Sequence, residues 1–143
     1  MAITGAGGAL GAILQALPLA DTLSNSLLQY NIGLVLPFLL AMILKTAMGA
    51  STVAMIITSA MVAPLMTTMG LTSEIARVLT VMAIGAGSMT VSHANDSYFW
   101  VVAHFSDLDT ATAYKCQTGV TLVQGIVSLV VILILAFFLI FNW

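Results

Sequence analysis

The chain has 143 residues, of which 61% are hydrophobic and only 6% charged, with a formal net charge of −2 and a mean hydropathy of +1.15. Soluble domains carry about one quarter charged residues, so a soluble fold is excluded and an integral membrane protein is predicted. The charge balance leaves no basic footprint for nucleic acid or an anionic surface, and a single cysteine, Cys116, excludes an internal disulfide or a cysteine metal site.

The charged residues are Asp21, Lys45, Glu74, Arg77, Asp96, Asp107, Asp109 and Lys115, and the windows between them suit spanning helices of roughly 20 residues. These windows are apolar on all sides instead of alternating, which argues against a transmembrane barrel. The first stretch has no basic lead, so no cleavable signal peptide is expected, and the chain opens as if within a longer membrane domain. Residues 2–19 read as a Gly-rich partial helix closed by Pro18 and Asp21. Residues 27–69 hold two apolar stretches: Leu27 to Leu44, with a kink at Pro37, stops at Lys45, and after a tip from Thr46 to Thr52 comes Val53 to Met69.

A turn at Gly70 to Ser73 follows, where Thr72 or Ser73 caps the next helix with Glu74 in its first turn. That element, residues 74–104, is a broken helix. It passes through Gly85 to Ser88, meets a polar run from Ser92 to Ser97, and resumes at Tyr98 toward His104. Ser106 to Tyr114 reads as a linker in water. Residues 117–143 form a terminal transmembrane helix without a charge, and Phe137, Phe138, Phe141 and Trp143 suit an interfacial belt.

Two segments violate the rule that backbone in hydrocarbon stays helical: Gly49 to Thr52, and Ser92 to Ser97. Broken backbone at that depth survives only against protein or a water-filled cavity. In secondary transporters such breaks carry substrate and ion sites, because helix N-termini hold anions and freed carbonyls hold cations. Plainer roles stand beside this one. Asp96 caps the resuming helix, His93 bonds a neighbouring carbonyl, Gly49 to Thr52 is a surface loop, and Lys45 either snorkels to an interface or pairs with a substrate carboxylate. His104 reads as interfacial, and Cys116 as a spectator thiol. Gly5, Gly7 and Gly8 read as packing glycines, since no P-loop lysine accompanies them.

The strings Thr4-Gly-Ala-Gly-Gly8, Lys45-Thr-Ala-Met-Gly-Ala-Ser-Thr-Val-Ala-Met55, Ala86-Gly-Ser88 and Ser92-His-Ala-Asn-Asp-Ser-Tyr-Phe-Trp100 occur in that order. In order and spacing they resemble the C-terminal part of the gluconate permease family of proton symporters, whose last motif reads S-H-x-N-D-S-x-F-W. More loosely, the chain is similar to a superfamily of ion-coupled carboxylate carriers. The resemblance implies an all-α integral membrane fold: the second inverted repeat of a secondary transporter, with a re-entrant helical hairpin over residues 27–69 (arms Leu27 to Lys45 and Val53 to Met69, Gly49 to Thr52 at its buried tip) and a transmembrane helix unwound at Ser92 to Ser97. Family members are much longer, so it further implies that the N-terminal repeat is missing from this sequence. Where the family more often reads R-x-A-Q-G-S-A-T, this chain has Lys45 to Thr52, with the serine shifted by one position and Met48 at a polar position.

The function implied is proton-coupled uptake of gluconate or a related sugar acid, by a partial transporter that is not an enzyme. Gly49, Ser51 and Thr52, with the tip amides, would bind the carboxylate; Ser92, Asn95 and Ser97 would meet hydroxyls. Asp96 or His93 would carry the proton. No cofactor or metal is expected beyond the proton gradient. The partners implied are a small anionic sugar acid, the lipid bilayer, the missing repeat of the same protein and a possible second copy, in a multi-pass arrangement in a bacterial cytoplasmic (inner) membrane. The alternatives are a small non-transporting membrane subunit or inactive fragment, and an intramembrane hydrolase using Ser92 or Ser97 with His93 and Asp96. Residues so close on broken backbone do not put nucleophile, base and orienting group in line, which disfavours the hydrolase.

Overall fold

The computed structural model describes residues 33–140, and all regular structure among them is helical. The partial helix at residues 2–19, the beginning of the first hairpin arm, Phe141 and Trp143 lie outside the described residues. In chain order the elements are α1 (Val35–Met48), α2 (Ser51–Val62) with a 3-10 turn at Ala63–Leu65, α3 (Glu74–Ser88), α4 (Ser97–Phe105), α5 (Thr110–Ala113) and α6 (Gly119–Ile140). A π-helical turn, Tyr114–Thr118, joins α5 to α6.

The hairpin is formed by α1 and α2, which pack on each other across a turn of Gly49 and Ala50. Its first helix runs past Lys45 to Met48. Gly49 then ends it at φ +77°, its N–H bonding the Lys45 carbonyl at 2.8 Å, because only a residue without Cβ takes that conformation freely. Ser51 and Thr52 therefore belong to the first turn of α2 and not to a loop, and Gly49 beside them is buried. Pro37 introduces no break. It lies in the first turn of α1, where an amide lacks an intrahelical acceptor in any case.

Ser73 begins α3, its hydroxyl accepting from the Ala76 N–H at 3.1 Å with Glu74 beside it. This helix is the centre of the arrangement, packing on α1, α2 and α6. Leu34, Phe38, Leu79, Ala83, Ile132 and Ala136 from α1, α3, α6 and their flanks make the main core. Gly87 lets α3 approach α1 to backbone contact: a Cβ there would lie 2.3 Å from the Phe38 carbonyl oxygen. Gly125 does the same for α6, where a Cβ would lie 2.1 Å from the Thr90 hydroxyl.

The final helix starts earlier than its sequence suggests. Thr110–Leu139 is one continuous apolar helix of 30 residues, begun by Asp109, whose carboxylate accepts from the Ala111 and Thr112 amides at 3.1 and 3.2 Å. Among the described residues it alone is long and apolar enough to cross a membrane. At 14 and 12 residues, α1 and α2 reach only about 21 and 18 Å, short of a hydrocarbon core of about 30 Å. Val120, Val123, Ile126, Val130, Phe137 and Phe138 point outward from α6, the apolar exterior that lipid favours. At the other end Phe99, wholly buried between Trp100 and Tyr114, seats α4 on the π-helical turn.

Candidate functional site

Between α3 and α4 the chain is unwound from Met89 to Asp96, and its freed backbone groups find partners on three elements. Thr90 bonds back to α3, its hydroxyl donating to the Ala86 carbonyl at 2.8 Å. Val91 turns the chain at φ +55°, a strained conformation for a β-branched residue. The Ser92 backbone is then clamped by α6 and the π-helical turn before it: its N–H donates to the Thr121 hydroxyl at 3.1 Å, and Thr118 donates to its carbonyl at 2.6 Å. Asp96 closes the break by accepting the Tyr98 N–H at 3.0 Å, so it does cap α4.

Asp96 does more than cap. Its Oδ2 accepts Lys45 Nζ at 2.6 Å and the Ser92 hydroxyl at 2.6 Å. Lys45 is 1% exposed and also donates to the Gly49 carbonyl at 2.5 Å. The expectation that Lys45 snorkels to an interface is thus overturned: the helix continues past it and its ammonium is drawn inward by a carboxylate and a freed carbonyl. A buried cation is retained only where such partners compensate its lost hydration.

His93 and Asn95 hold the hairpin tip from the other side. His93 Nε2 lies 3.1 Å from the Thr46 carbonyl, and Asn95 donates to the same oxygen at 2.8 Å and to Ala47 at 3.4 Å. These are terminal carbonyls of α1, which lack acceptable donors within the helix. Gly49 fits against the Asn95 backbone so closely that a Cβ would lie 2.2 Å from its carbonyl oxygen. His93 therefore does bond a carbonyl, as its plainer reading has it.

In front of the ion pair lies a cleft of about 400 Å³. Of the residues singled out in the sequence, Ser51, Thr52, Ser92 and Asp96 line it. Gly49, His93 and Asn95 form the latch just described, and Ser97 is exposed as the first residue of α4, away from the cleft lining. Lys45, for which the sequence left open a pairing with substrate carboxylate, also lines it, and sequence reasoning did not find Tyr98, Thr121 and Gln124, which complete the polar lining. The first turn of α2 faces this space with no side chain capping it, so its amides are directed where an anion is favoured. An apolar cleft of about 460 Å³ adjoins it, sharing Met55, Met89 and Gln124.

A polar cleft at a helix break, backed by a helical hairpin and walled by outward-facing apolar helices, is the anatomy of a membrane transport protein. Comparison with known proteins agrees. The profile described as GntP family permease matches residues 1–138, and the chain belongs to that family, whose members are transporters and not enzymes. It is 33% identical over 135 residues to a gluconate permease of Pseudomonas aeruginosa, covering 94% of this chain and 29% of the relative. Against the D-serine transporter DsdX of Escherichia coli K12 it is 34% identical over 136 residues, covering 94% and 30%. Against the high-affinity gluconate transporter of the same strain the identity is 30% over 134 residues, covering 93% and 30%. The chain thus spans about 30% of the length of these relatives. No solved structure matches it.

Proposed function

We propose that this chain forms the C-terminal part of a permease that takes up gluconate or a related sugar acid with protons across the bacterial cytoplasmic membrane. The observation that carries the reading is the cleft itself, where an uncapped helix start, Ser51, Thr52, Ser92 and a buried carboxylate converge at a break in α3 and α4. A sugar acid has one carboxylate and several hydroxyls, and this lining offers an anion site at the start of α2 with hydroxyl partners on the break and on α6. D-serine, named for one relative, likewise carries a carboxylate and a hydroxyl, the two groups that this lining would recognise in a sugar acid. Ser92 meets the substrate directly. Asn95 and Ser97 act at the rim, and Gly49 sets the tip's backbone.

Asp96 is the proton carrier in this reading. It lines the cleft, whereas His93 is turned to Thr46, which favours the carboxylate over the imidazole. The short arms α1 and α2 enter and leave on one face as a re-entrant hairpin, while α6 spans the bilayer in a multi-pass protein. In this reading an N-terminal repeat of the same protein, or a second copy inserted in the opposite sense, completes the alternating-access path.

The test is uptake of radiolabelled gluconate, under an imposed proton gradient, into proteoliposomes holding the complete permease that contains this chain. Asp96→Asn is expected to abolish gradient-driven accumulation while retaining exchange of labelled for unlabelled substrate. Full accumulation in D96N would remove Asp96 as the carrier, and a complete wild-type protein with no substrate-dependent flux would favour the non-transporting subunit.

A further inference from the structure

Lys45 is the one buried cation among the described residues, and it stands in the wall of the cleft already half spent on Asp96. An incoming carboxylate has two attractions here, the start of α2 and the Lys45 ammonium, and one repulsion, the Asp96 carboxylate beside that ammonium. Both carboxylates ionised against one ammonium would leave an uncompensated negative charge in a dry site. Neutralising Asp96 removes the conflict.

We propose that Lys45 holds the substrate carboxylate, and that it is released to do so only when Asp96 takes up a proton. This rests on the reading of the cleft as the sugar-acid site. The exchange balances. The empty cleft holds Lys45 as ammonium and Asp96 as carboxylate; the loaded cleft holds the same ammonium, a protonated Asp96 and the substrate anion, with one proton and one anion gained and net charge unchanged. The proton arrives from water on Asp96 Oδ2, which loses its bond to Nζ, and Nζ turns to the substrate oxygen. Asp96 keeps its cap on Tyr98 through the other oxygen, Oδ1, so α4 stays anchored throughout. Ser92, which now donates to Oδ2, reverses and accepts from the new carboxylic acid.

The groups facing Asp96 make this pair self-contained. From α1 comes Lys45, from the break Ser92, and from α4 the Tyr98 amide; the other residues in the lining, Ser51, Thr52, Tyr98, Thr121 and Gln124, bring no charged group. His93, the nearest other titratable group on the break, bonds to Thr46 and not to Asp96. The coupling of anion to proton therefore follows from one ion pair, without a relay.

The experiment is calorimetric titration of the purified chain in lipid nanodiscs with gluconate, repeated in buffers of differing ionisation enthalpy and across pH. Its uncharged analogue glucitol serves as the comparison ligand. Wild type is expected to take up about one proton per gluconate bound, its affinity falling towards about tenfold per pH unit on the alkaline side. D96N is expected to bind gluconate with no proton uptake and a flat pH profile. The variant K45M/D96N, which leaves no unpaired buried charge to unfold the chain, should lose at least about tenfold in gluconate affinity relative to D96N and bind glucitol no more weakly. K45R/D96N should restore gluconate binding. Proton uptake that is absent in wild type, or that persists in D96N, overturns the exchange; equal gluconate affinity in D96N and K45M/D96N overturns Lys45 as the anchor. Failure of wild type to bind gluconate at all instead overturns the reading of the cleft on which the exchange rests.

Discussion

Lys45 and Asp96 lie 51 positions apart in the chain, yet each is the other's main means of staying charged in the interior. Lys45→Met alone leaves Asp96 buried without its cation and is expected to cost about 3–5 kcal/mol, whereas K45M/D96N is expected to fall within about 1 kcal/mol of wild type. Chemical unfolding in detergent across the full double-mutant cycle checks this, and additive losses would deny the coupling. Residue roles of short reach were legible in the sequence. Ser73 is a hydroxyl one position before a helix with Glu74 next to it, and Asp96 stands just ahead of a helix-forming aromatic run; both cap as their local pattern implies. Lys45 was not legible, because a lysine at the end of an apolar arm looks the same whether it reaches for water or for a carboxylate. Only the meeting of two distant breaks decides between them.

At the scale of elements, two apolar helices on either side of Gly49, the start of α3 and the unwound run after it were readable, since each boundary is marked by a change from apolar to small and hydroxyl residues. The start of the last helix was not. Thr110-Ala-Thr-Ala113 reads as linker by polarity, but Asp109 satisfies the Ala111 and Thr112 amides and the helix begins there, well before Gln117. Hydrogen bonds from Thr112, then from Ala111, hold the Asp109 carboxyl below its ordinary range. The cap's contribution is therefore complete above the value of a free aspartate and is lost progressively as pH falls from there through the lowered one. Amide hydrogen exchange at Ala111 and Thr112, corrected for intrinsic rates, should stay flat above the pH where free aspartates titrate and rise steadily below it. Protection that does not change through the acid range would contradict the cap. The early start matters to the site, because it puts the π-helical turn where Thr118 and Thr121 reach the Ser92 peptide.

Across the whole molecule, α3 is the post to which hairpin and final helix are fastened, and glycines set the distances. Gly87→Ala would press a methyl group into the Phe38 carbonyl and is expected to cost about 1–3 kcal/mol. Gly85→Ala on the same helix meets open space and should be neutral or stabilising by up to about 1 kcal/mol. Thermal unfolding of the two variants side by side separates close packing from mere helix propensity. Membrane character and helical class were legible from composition, whereas the contact between hairpin tip and break depended on long-range packing that no local pattern records. Val91 gives that contact a further property. Held at φ +55°, it stores on the order of 1–3 kcal/mol in a single peptide, kept there by the Ser92 clamp on one side and the Thr90 anchor on the other. Any event that loosens the clamp returns this energy in the direction of unlatching. The break is thus a sprung catch, needing less work to open than its hydrogen bonds alone would demand.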